Sequence, residues 1–150
     1  MENDKKIKKF YITTAIDYIN GEPHIGHALE KIQADVVARF HRAREEEVFF
    51  LTGTDEHGLK IYRTAEAAGV SAGELADKNA EKFRDLKKVL NLSWDDFIRT
   101  TDQKRHWPGA QKLWRRLHAA GDLYKKKYQG LYCVGCESFK TEKDLVAGQC

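Results

Sequence analysis

A long amphipathic helix lies between two short apolar strands, and this order constrains the fold more than any other feature of the sequence. Residues 10–15 and 48–52 are aromatic and β-branched, as is typical of buried strands. The helix between them is expected over about residues 25–44. Its apolar residues share one stripe at helical spacing: Leu29, Ile32, Val36 and Phe40. Strand, helix and strand in this order predict a right-handed βαβ unit with parallel strands, and hence an α/β fold.

Further helices and one strand are expected after this unit. A helix over about residues 60–68 ends at Gly69. Ser71 and Glu74 have the spacing of a capping box for a helix that continues to about Leu90. Its inward positions are Leu75, Phe83, Leu86 and Leu90. Residues 96–100 are expected to form a third strand.

The character of the sequence changes after the next predicted helix, which covers about residues 103–120. Residues 123–133 are aromatic and basic, with a hairpin turn expected around Gln129 and Gly130. A boundary is therefore expected between residues 115 and 122. We divide the chain into a first domain, 1–115, and the start of a second, 116–150.

Two histidines, His24 and His27, stand three residues apart where the first strand gives way to the helix. Imidazoles at this spacing share one helix face, and a helix N-terminus offers free N–H groups to an anion. Gly26 between them has no Cβ, so a phosphate or a flat ring can approach the backbone. A solvated helix start and half of a metal site are the alternatives.

A second polar turn, residues 53–58, follows the second predicted strand. Ligands of parallel sheets bind beyond the carboxyl ends of the strands. We therefore expect His24, His27 and Asp55 to border one crevice. A short carboxylate at a strand end suits an ammonium group, although a helix cap is an equal alternative for Asp55.

The three cysteines, Cys133, Cys136 and Cys150, all lie in the last 18 residues. A C-x-x-C turn followed by a third cysteine is typical of a zinc knuckle. A redox pair and three unrelated thiols are the alternatives. The knuckle stops on its third cysteine, so we expect a fragment whose fourth ligand lies just beyond Cys150.

The chain has 150 residues, a net charge of +3 and 41% apolar residues, enough for one ordinary domain. This charge alone does not imply nucleic-acid binding. No apolar run approaches the length of a membrane span, and the N-terminus lacks the apolar region of a signal peptide. A cytoplasmic protein without membrane contact is expected.

Three stretches together resemble the N-terminal part of the methionyl-tRNA synthetases, a class I aminoacyl-tRNA synthetase family. Residues 23–27 match the class I HIGH signature, and residues 50–58 resemble the second-strand signature of the methionyl enzymes. Residues 96–101 and the segment from Gly130 through the cysteines resemble later parts of the family in the same order. The resemblance implies the first half of a Rossmann-like (HUP-type) catalytic domain, followed by the start of a zinc-knuckle connective insertion.

The resemblance also implies ATP-dependent activation of methionine and transfer to tRNA(Met), with Mg²⁺ sharing the pyrophosphate charge. His24 and His27 are the implied catalytic residues. The implied ATP contacts are His24, Gly26 and His27. The implied methionine contacts are Ala15, Ile16, Tyr18 and Asp55. The implied ligands of a structural Zn²⁺ are Cys133, Cys136 and Cys150.

The same features also allow other interpretations. A non-catalytic, zinc-containing RNA-binding module is the main alternative, in which the basic run 125–127 contacts RNA. Synthetases for leucine, valine, isoleucine or cysteine share HIGH, but residues 53–58 argue against them. The family often has Pro and an aromatic residue where this chain has residues 15–17, and Asp17 places a charge near the expected pocket mouth. The second half of the fold and its KMSKS loop are not in this sequence, so we expect the isolated chain to be inactive.

Overall fold

A computed structural model describes residues 7–150, and the chain divides into two compact units. The first unit ends at Ala110 and the second is Gln111–Cys150. The first unit contains the parallel sheet and the helices that pack on it. No helix within residues 7–150 is long and apolar enough to cross a membrane.

The sheet of the first unit is parallel throughout, as the βαβ pattern predicts. Strands β1 (Lys9–Thr13) and β2 (Asp17–Tyr18) both pair with one edge of β3 (Glu47–Asp55), and β4 (Asp96–Arg99) pairs with its other edge. The predicted strand at residues 48–52 is confirmed and extends to Asp55. The strand predicted at residues 10–15 is confirmed through Thr13. It is half-exposed rather than buried, since it lies at the edge of the sheet.

A β-bulge separates β1 from β2. Thr13 pairs with Leu51 and Asp17 pairs with Thr54, so four steps along the first edge oppose three along β3. The extra residue reverses the alternation of side chains. Ile12 lies opposite the buried Phe50 before the bulge, and Asp17 lies opposite the buried Thr54 after it.

Helix α1 (Ile25–Ala43) connects β2 to β3 and packs on β1 and β3. Its buried residues are Lys31, Asp35 and Ala38. The predicted apolar stripe exists, but its four residues are 41–61% exposed. The inward face is instead partly polar and internally paired, since Asp35 accepts hydrogen bonds of 2.6 Å from both the amide and the hydroxyl of Ser93.

Helices α2 (Leu59–Ala67) and α3 (Ala72–Val89) complete the first unit. The predicted capping box is confirmed: Ser71 Oγ accepts from the Glu74 amide at 3.2 Å, and the Glu74 carboxylate accepts from the Ser71 amide at 2.8 Å. The buried hydrophobic core combines residues of α1, α2, α3 and the sheet with residues of the connecting segments: Ile19, Ala38, Phe50, Ile61, Ala76, Ala80, Phe83, Leu92, Trp94 and Phe97.

Helix α4 (Trp107–Ala119) begins four residues later than predicted. Pro108 has no N–H to donate to the carbonyl of Lys104, so a helix beginning at residue 103 would lack that bond. The residues before α4 form a turn instead, in which Asp102 accepts from the amides of Lys104 and Arg105 at 3.0 Å each.

The second unit contains a small antiparallel hairpin, β5 (Leu131–Cys133) with β6 (Ser138–Lys140), followed by a 3₁₀ turn at Glu142–Asp144. The hairpin turn predicted at Gln129 and Gly130 is in the wrong place. The observed turn is residues 134–137, where the Cys136 amide donates to Cys133 Sγ at 3.4 Å. The sulfur of the C-x-x-C pattern thus fixes the turn.

Candidate active site and cysteine cluster

The two histidines form a reciprocal cap at the start of α1. His24 is the N-cap residue, and its Nδ1 accepts from the Gly26 amide at 3.1 Å. His27 Nδ1 accepts from the His24 amide at 3.1 Å, so each ring accepts one backbone N–H at the helix start. The two ring centroids lie 3.8 Å apart. The pair takes the place of the Ser and Glu side chains that cap α3.

This cap fixes the tautomer of both rings. A backbone N–H can only donate, so Nδ1 of each histidine is an unprotonated acceptor and the neutral ring carries its proton on Nε2. Both imidazoles therefore present an N–H donor on the side away from the cap. Gly26 is needed for this arrangement, because a Cβ there would lie 2.9 Å from His24 Cε1. The space above Gly26 is occupied by the ring of His24.

His27 is half-buried and its ring meets the edge of Phe83, with 5.0 Å between centroids. Burial lowers the pKa of His27 below its ordinary value, with a smaller lowering from His24 and Lys31 and an opposing effect from Asp17 and Glu30. The neutral form is thus favoured, which is the form that the cap requires.

Two glycines allow close contacts near the end of β3, Gly53 within the strand and Gly58 in the turn after it. A Cβ at Gly53 would lie 2.1 Å from the carbonyl oxygen of Ile98 in β4. Gly58 has a φ of +125°, and a Cβ there would lie 2.2 Å from the Tyr18 hydroxyl. These contacts explain why residues 53 and 58 are glycines. Asp55 lies between them at the end of β3, where its Oδ1 accepts from the His57 amide at 3.4 Å.

Glu56 fixes this turn through its carboxylate, a role that its position in the sequence does not indicate. Its buried carboxylate accepts from Thr54 Oγ1 and from Arg99 Nε, each at 2.7 Å, and from the Thr101 hydroxyl. Arg99 also donates to Asp77 at 2.6 Å, and hydrogen bonding to Glu56 raises the pKa of Arg99 above its ordinary value. The buried Glu56 carboxylate and the partly exposed Arg99 therefore join the ends of β3 and β4 next to Asp55.

The bulge carries the residues predicted to line a methionine pocket. The Ala15 amide has left the strand ladder and donates to Glu30 Oε1 of α1 at 2.8 Å. Ile16 is 41% exposed, and Tyr18 pairs in register with Asp55. Asp17, expected near the pocket mouth, is buried instead and forms an ion pair with Lys31 of α1.

The structure thus brings the predicted residues together in two groups. His24, Gly26 and His27 are in mutual contact at the start of α1, and Tyr18 and Asp55 are neighbours at the ends of their strands. His57, in the turn after β3, has its Nε2 3.3 Å from the Thr100 carbonyl oxygen.

The three cysteine sulfurs of the second unit lie within 4.8 Å of one another. Cys136 Sγ and Cys150 Sγ are 3.0 Å apart. Hydrogen bonds from the Cys136 amide and the other two thiols lower the pKa of Cys133 to about 7, whereas the neighbouring thiols raise that of Cys150 to about 11. Two thiolates on one Zn²⁺ are about 3.8 Å apart in tetrahedral geometry with bonds of about 2.3 Å. Three thiols within 4.8 Å of one another are a donor set that fits zinc, although the separation of Cys136 and Cys150 is shorter than the tetrahedral distance.

Comparison with known proteins identifies the family. Residues 10–150 match the family model described as tRNA synthetases class I (M). This chain belongs to that family. Methionine–tRNA ligase of Rhizobium meliloti (strain 1021) is 54% identical over 135 residues, which are 90% of this chain and 26% of the relative.

Solved structures of the family share the fold as well. The chain matches Mycobacterium tuberculosis methionyl-tRNA synthetase in complex with methionyl-adenylate at 49% identity and a TM-score of 0.88, over 95% of this chain and 28% of that one. A leucyl-tRNA synthetase from Agrobacterium radiobacter K84, solved in a ternary complex, is less similar: 25% identity and a TM-score of 0.68, over 81% of this chain and 16% of that one.

Family membership confirms the predicted fold class, a parallel-sheet α/β domain of the class I synthetases. The chain spans about a quarter of the length of the methionyl relatives it matches. The elements of the first unit are therefore those of a synthetase catalytic domain.

Proposed function

We propose that this chain is the part of a methionine–tRNA ligase that binds ATP and methionine for adenylate formation. One observation carries the proposal: residues 10–150 match the class I (M) family, whose solved member at 49% identity holds methionyl-adenylate. The leucyl enzyme, at 25% identity, supports a different amino acid less well.

In the proposed reaction a methionine carboxylate oxygen attacks the α-phosphorus of ATP. An O–P bond forms, the bond from the α-phosphorus to the bridging oxygen breaks, and pyrophosphate leaves. The methionyl group is then transferred from the adenylate to tRNA(Met), and AMP leaves. The nucleophile is already ionised, so no general base is needed, and catalysis depends on positioning and on stabilising phosphate charge.

His24 and His27 are proposed as the catalytic donors to ATP. The cap leaves an Nε2–H on each ring, and each of these N–H groups can donate to a phosphate oxygen. Gly26 contributes by admitting the His24 ring over the helix start. Phosphate charge is also favoured there by the positive end of the α1 dipole.

Methionine is proposed to bind between the bulge and the turn after β3. Asp55 would accept the α-ammonium group, and the Glu56–Arg99 pair behind it keeps the strand end in place. Ala15, Ile16 and Tyr18 form the wall, with the Tyr18 hydroxyl lying against Gly58.

Two metals belong to the proposal. Cys133, Cys136 and Cys150 would hold a structural Zn²⁺, to which they offer three sulfur donors, in a connective insertion that we assign to residues 116–150. The catalytic part is assigned to residues 1–115. Mg²⁺ would share the negative charge of the departing pyrophosphate.

The proposed macromolecular partner is tRNA(Met), and the proposed compartment is the cytoplasm. Residues 111–150 contain eight Lys and Arg against four Asp and Glu, a net charge of +4, which suits contact with RNA. The non-catalytic RNA-binding alternative is not favoured, because the family match extends through the sheet and the histidine cap.

The test is a chimera of the Rhizobium meliloti enzyme in which residues 10–150 of this chain replace the matching stretch. We expect methionine-dependent ATP–pyrophosphate exchange from the chimera and none from the isolated chain. His27→Ala in the chimera should lower kcat by about 10²- to 10³-fold with a smaller change in KM.

Leucine in place of methionine is the substrate control, and Glu81→Gln, an exposed position on α3, is the variant control. Exchange that depends on leucine, or an unchanged kcat in His27→Ala, would contradict the proposal. Methionine-dependent exchange by the isolated chain would contradict the view that it holds only part of the site.

A further inference from the structure

Lys31 and Asp17 form a fully buried ion pair between α1 and β2. Their side chains are 0% and 2% exposed, and Lys31 Nζ contacts Asp17 Oδ2. Neither atom hydrogen-bonds to any further group within residues 7–150. Desolvation by burial raises the pKa of Asp17, although Lys31 opposes that shift.

Such a pair is a poor device for stability alone. Removing two charges from water is costly, and a well-packed hydrophobic pair of similar volume commonly stabilises a fold as well or better. A buried pair does specify geometry, because each charge must find its partner. The location of the Asp17–Lys31 pair therefore indicates its role.

The pair lies between the two groups of proposed site residues. Asp17 stands between Ile16 and Tyr18 on the segment after the bulge. Lys31 is one helical turn beyond His27, at the i+4 position on the same face of α1. A displacement of either partner is thus transmitted to one group relative to the other.

The pair also sets the electrostatic environment of His27. The charged and titratable groups that act on this ring are Asp17 from β2, His24 at the N-cap of α1, and Glu30 and Lys31 from α1 itself. Asp17 favours protonation of the ring and Lys31 opposes it. While both are present, their effects on His27 partly cancel.

We propose that Asp17 and Lys31 are positioning residues of the site, which fix the segment of Ile16 and Tyr18 against the turn of α1 that carries His27. The significance of this for catalysis rests on the proposed function. The electrostatic coupling of the pair to His27 does not rest on the proposed function, and it can be measured without an activity assay.

The experiment uses the 150-residue chain and follows the His27 imidazole by NMR as the pH is changed. Asp17→Asn leaves an unpaired ammonium group near the ring, so we expect the pKa of His27 to fall below its value in the unsubstituted chain. Asp17→Asn combined with Lys31→Met removes both charges and should return the pKa towards that value. Glu22→Gln, an acid-to-amide change in an exposed pair with Lys82, should leave it unchanged.

Backbone amide shifts of Tyr18 are recorded for the same variants, and affinity for a non-hydrolysable methionyl-adenylate analogue is measured with the same substitutions in the chimera. We expect Asp17→Asn to move the Tyr18 amide and to weaken binding at least about tenfold, as for loss of one partner of a buried pair. A pair that acts on His27 through its charges alone would move the pKa in the single variant and back in the double, but would leave the Tyr18 amide and the affinity for the analogue unchanged in both.

If Asp17→Asn does not fold, Lys31→Met is used in its place. The expected shift then has the opposite direction, because the remaining Asp17 carboxylate raises the pKa of His27. An unshifted His27 in the single variant that folds, or a shift that persists in the double, overturns the proposal. If the chimera binds no analogue but His27 titrates as expected in the isolated chain, the proposed function fails and the positioning pair stands.

Discussion

Gly53→Ala should be the most destabilising glycine substitution in this chain, for a reason that the geometry makes quantitative. A Cβ at Gly53 would lie 2.1 Å from the Ile98 carbonyl oxygen, whereas ordinary contacts begin at 3.4 Å. Strands β3 and β4 would have to separate by the difference, 1.3 Å. A hydrogen bond of about 2.9 Å does not survive such an opening.

The expected cost follows from these losses. Two ladder bonds contribute about 1 kcal/mol each and overpacking costs about 1–3 kcal/mol, so Gly53→Ala should lower the free energy of unfolding by about 3–5 kcal/mol. Gly58→Ala combines a positive φ with a clash against a movable Tyr18 hydroxyl, and about 2–3 kcal/mol is expected.

Two other glycines separate backbone strain from steric overlap. Gly69 has a φ of +68° but no atom of the described chain near its added Cβ, so Gly69→Ala should cost about 1 kcal/mol. Gly109 in α4 has neither problem, and Gly109→Ala should stabilise by about 0.5–1 kcal/mol.

The assay is urea unfolding followed by circular dichroism, at one pH and with the slope of the transition compared among the four variants. The expected order of stability is Gly109→Ala, unsubstituted chain, Gly69→Ala, Gly58→Ala and Gly53→Ala. A Gly53→Ala chain within about 1 kcal/mol of the unsubstituted one, with an unchanged slope, would refute the close approach of β3 and β4.

Further predictions concern charge, pH and metal. Burial holds the pKa of His27 below its unfolded value of about 6.5, so the folded state binds this proton more weakly than the unfolded state does. The contribution of His27 to stability should therefore be complete above about pH 6.5 and should be lost as the pH falls through the folded pKa. The urea midpoints at high and low pH should differ less in His27→Gln than in the unsubstituted chain. Glu56→Gln removes the buried charge opposite Arg99 and should lower the free energy of unfolding in urea by about 2–3 kcal/mol. The exposed Glu81→Gln should lower it by less than about 0.5 kcal/mol. Equal losses in the two variants would count against the buried network. Cys136→Ser should weaken zinc binding at least about tenfold in a competition titration with a chelator, and an unchanged affinity would exclude this sulfur as a ligand.

Local patterns of the sequence predicted the elements whose causes are local. The cap of α3 lies within four residues, from Ser71 to Glu74, and was found at its predicted place. The β1–α1–β3 order gave the parallel pairing. The hairpin turn was misplaced, because Gln129 and Gly130 resemble a turn while the actual turn depends on a sulfur acceptor at Cys133.

The inward face of α1 could not be read in the same way. Lys31 and Asp35 look like solvated positions, and their partners lie 14 and 58 residues away at Asp17 and Ser93. Helical spacing alone does not show which of two faces packs when the buried one is polar. The histidine motif was found from its spacing, but the reciprocal cap and its fixed tautomers needed the distances.

The bulge between β1 and β2 decides which face of the sheet Asp17 and Tyr18 occupy. If residues 14–18 continued the β1 pairing without a bulge, Asp17 would lie opposite Asp55 and Tyr18 opposite Glu56. The carboxylate would then point away from Lys31, and the aromatic ring would enter the space against α1. Deleting one residue between Thr13 and Asp17 would instead remove the bulge and keep Asp17 opposite Thr54, so the ion pair with Lys31 should tolerate a shorter segment.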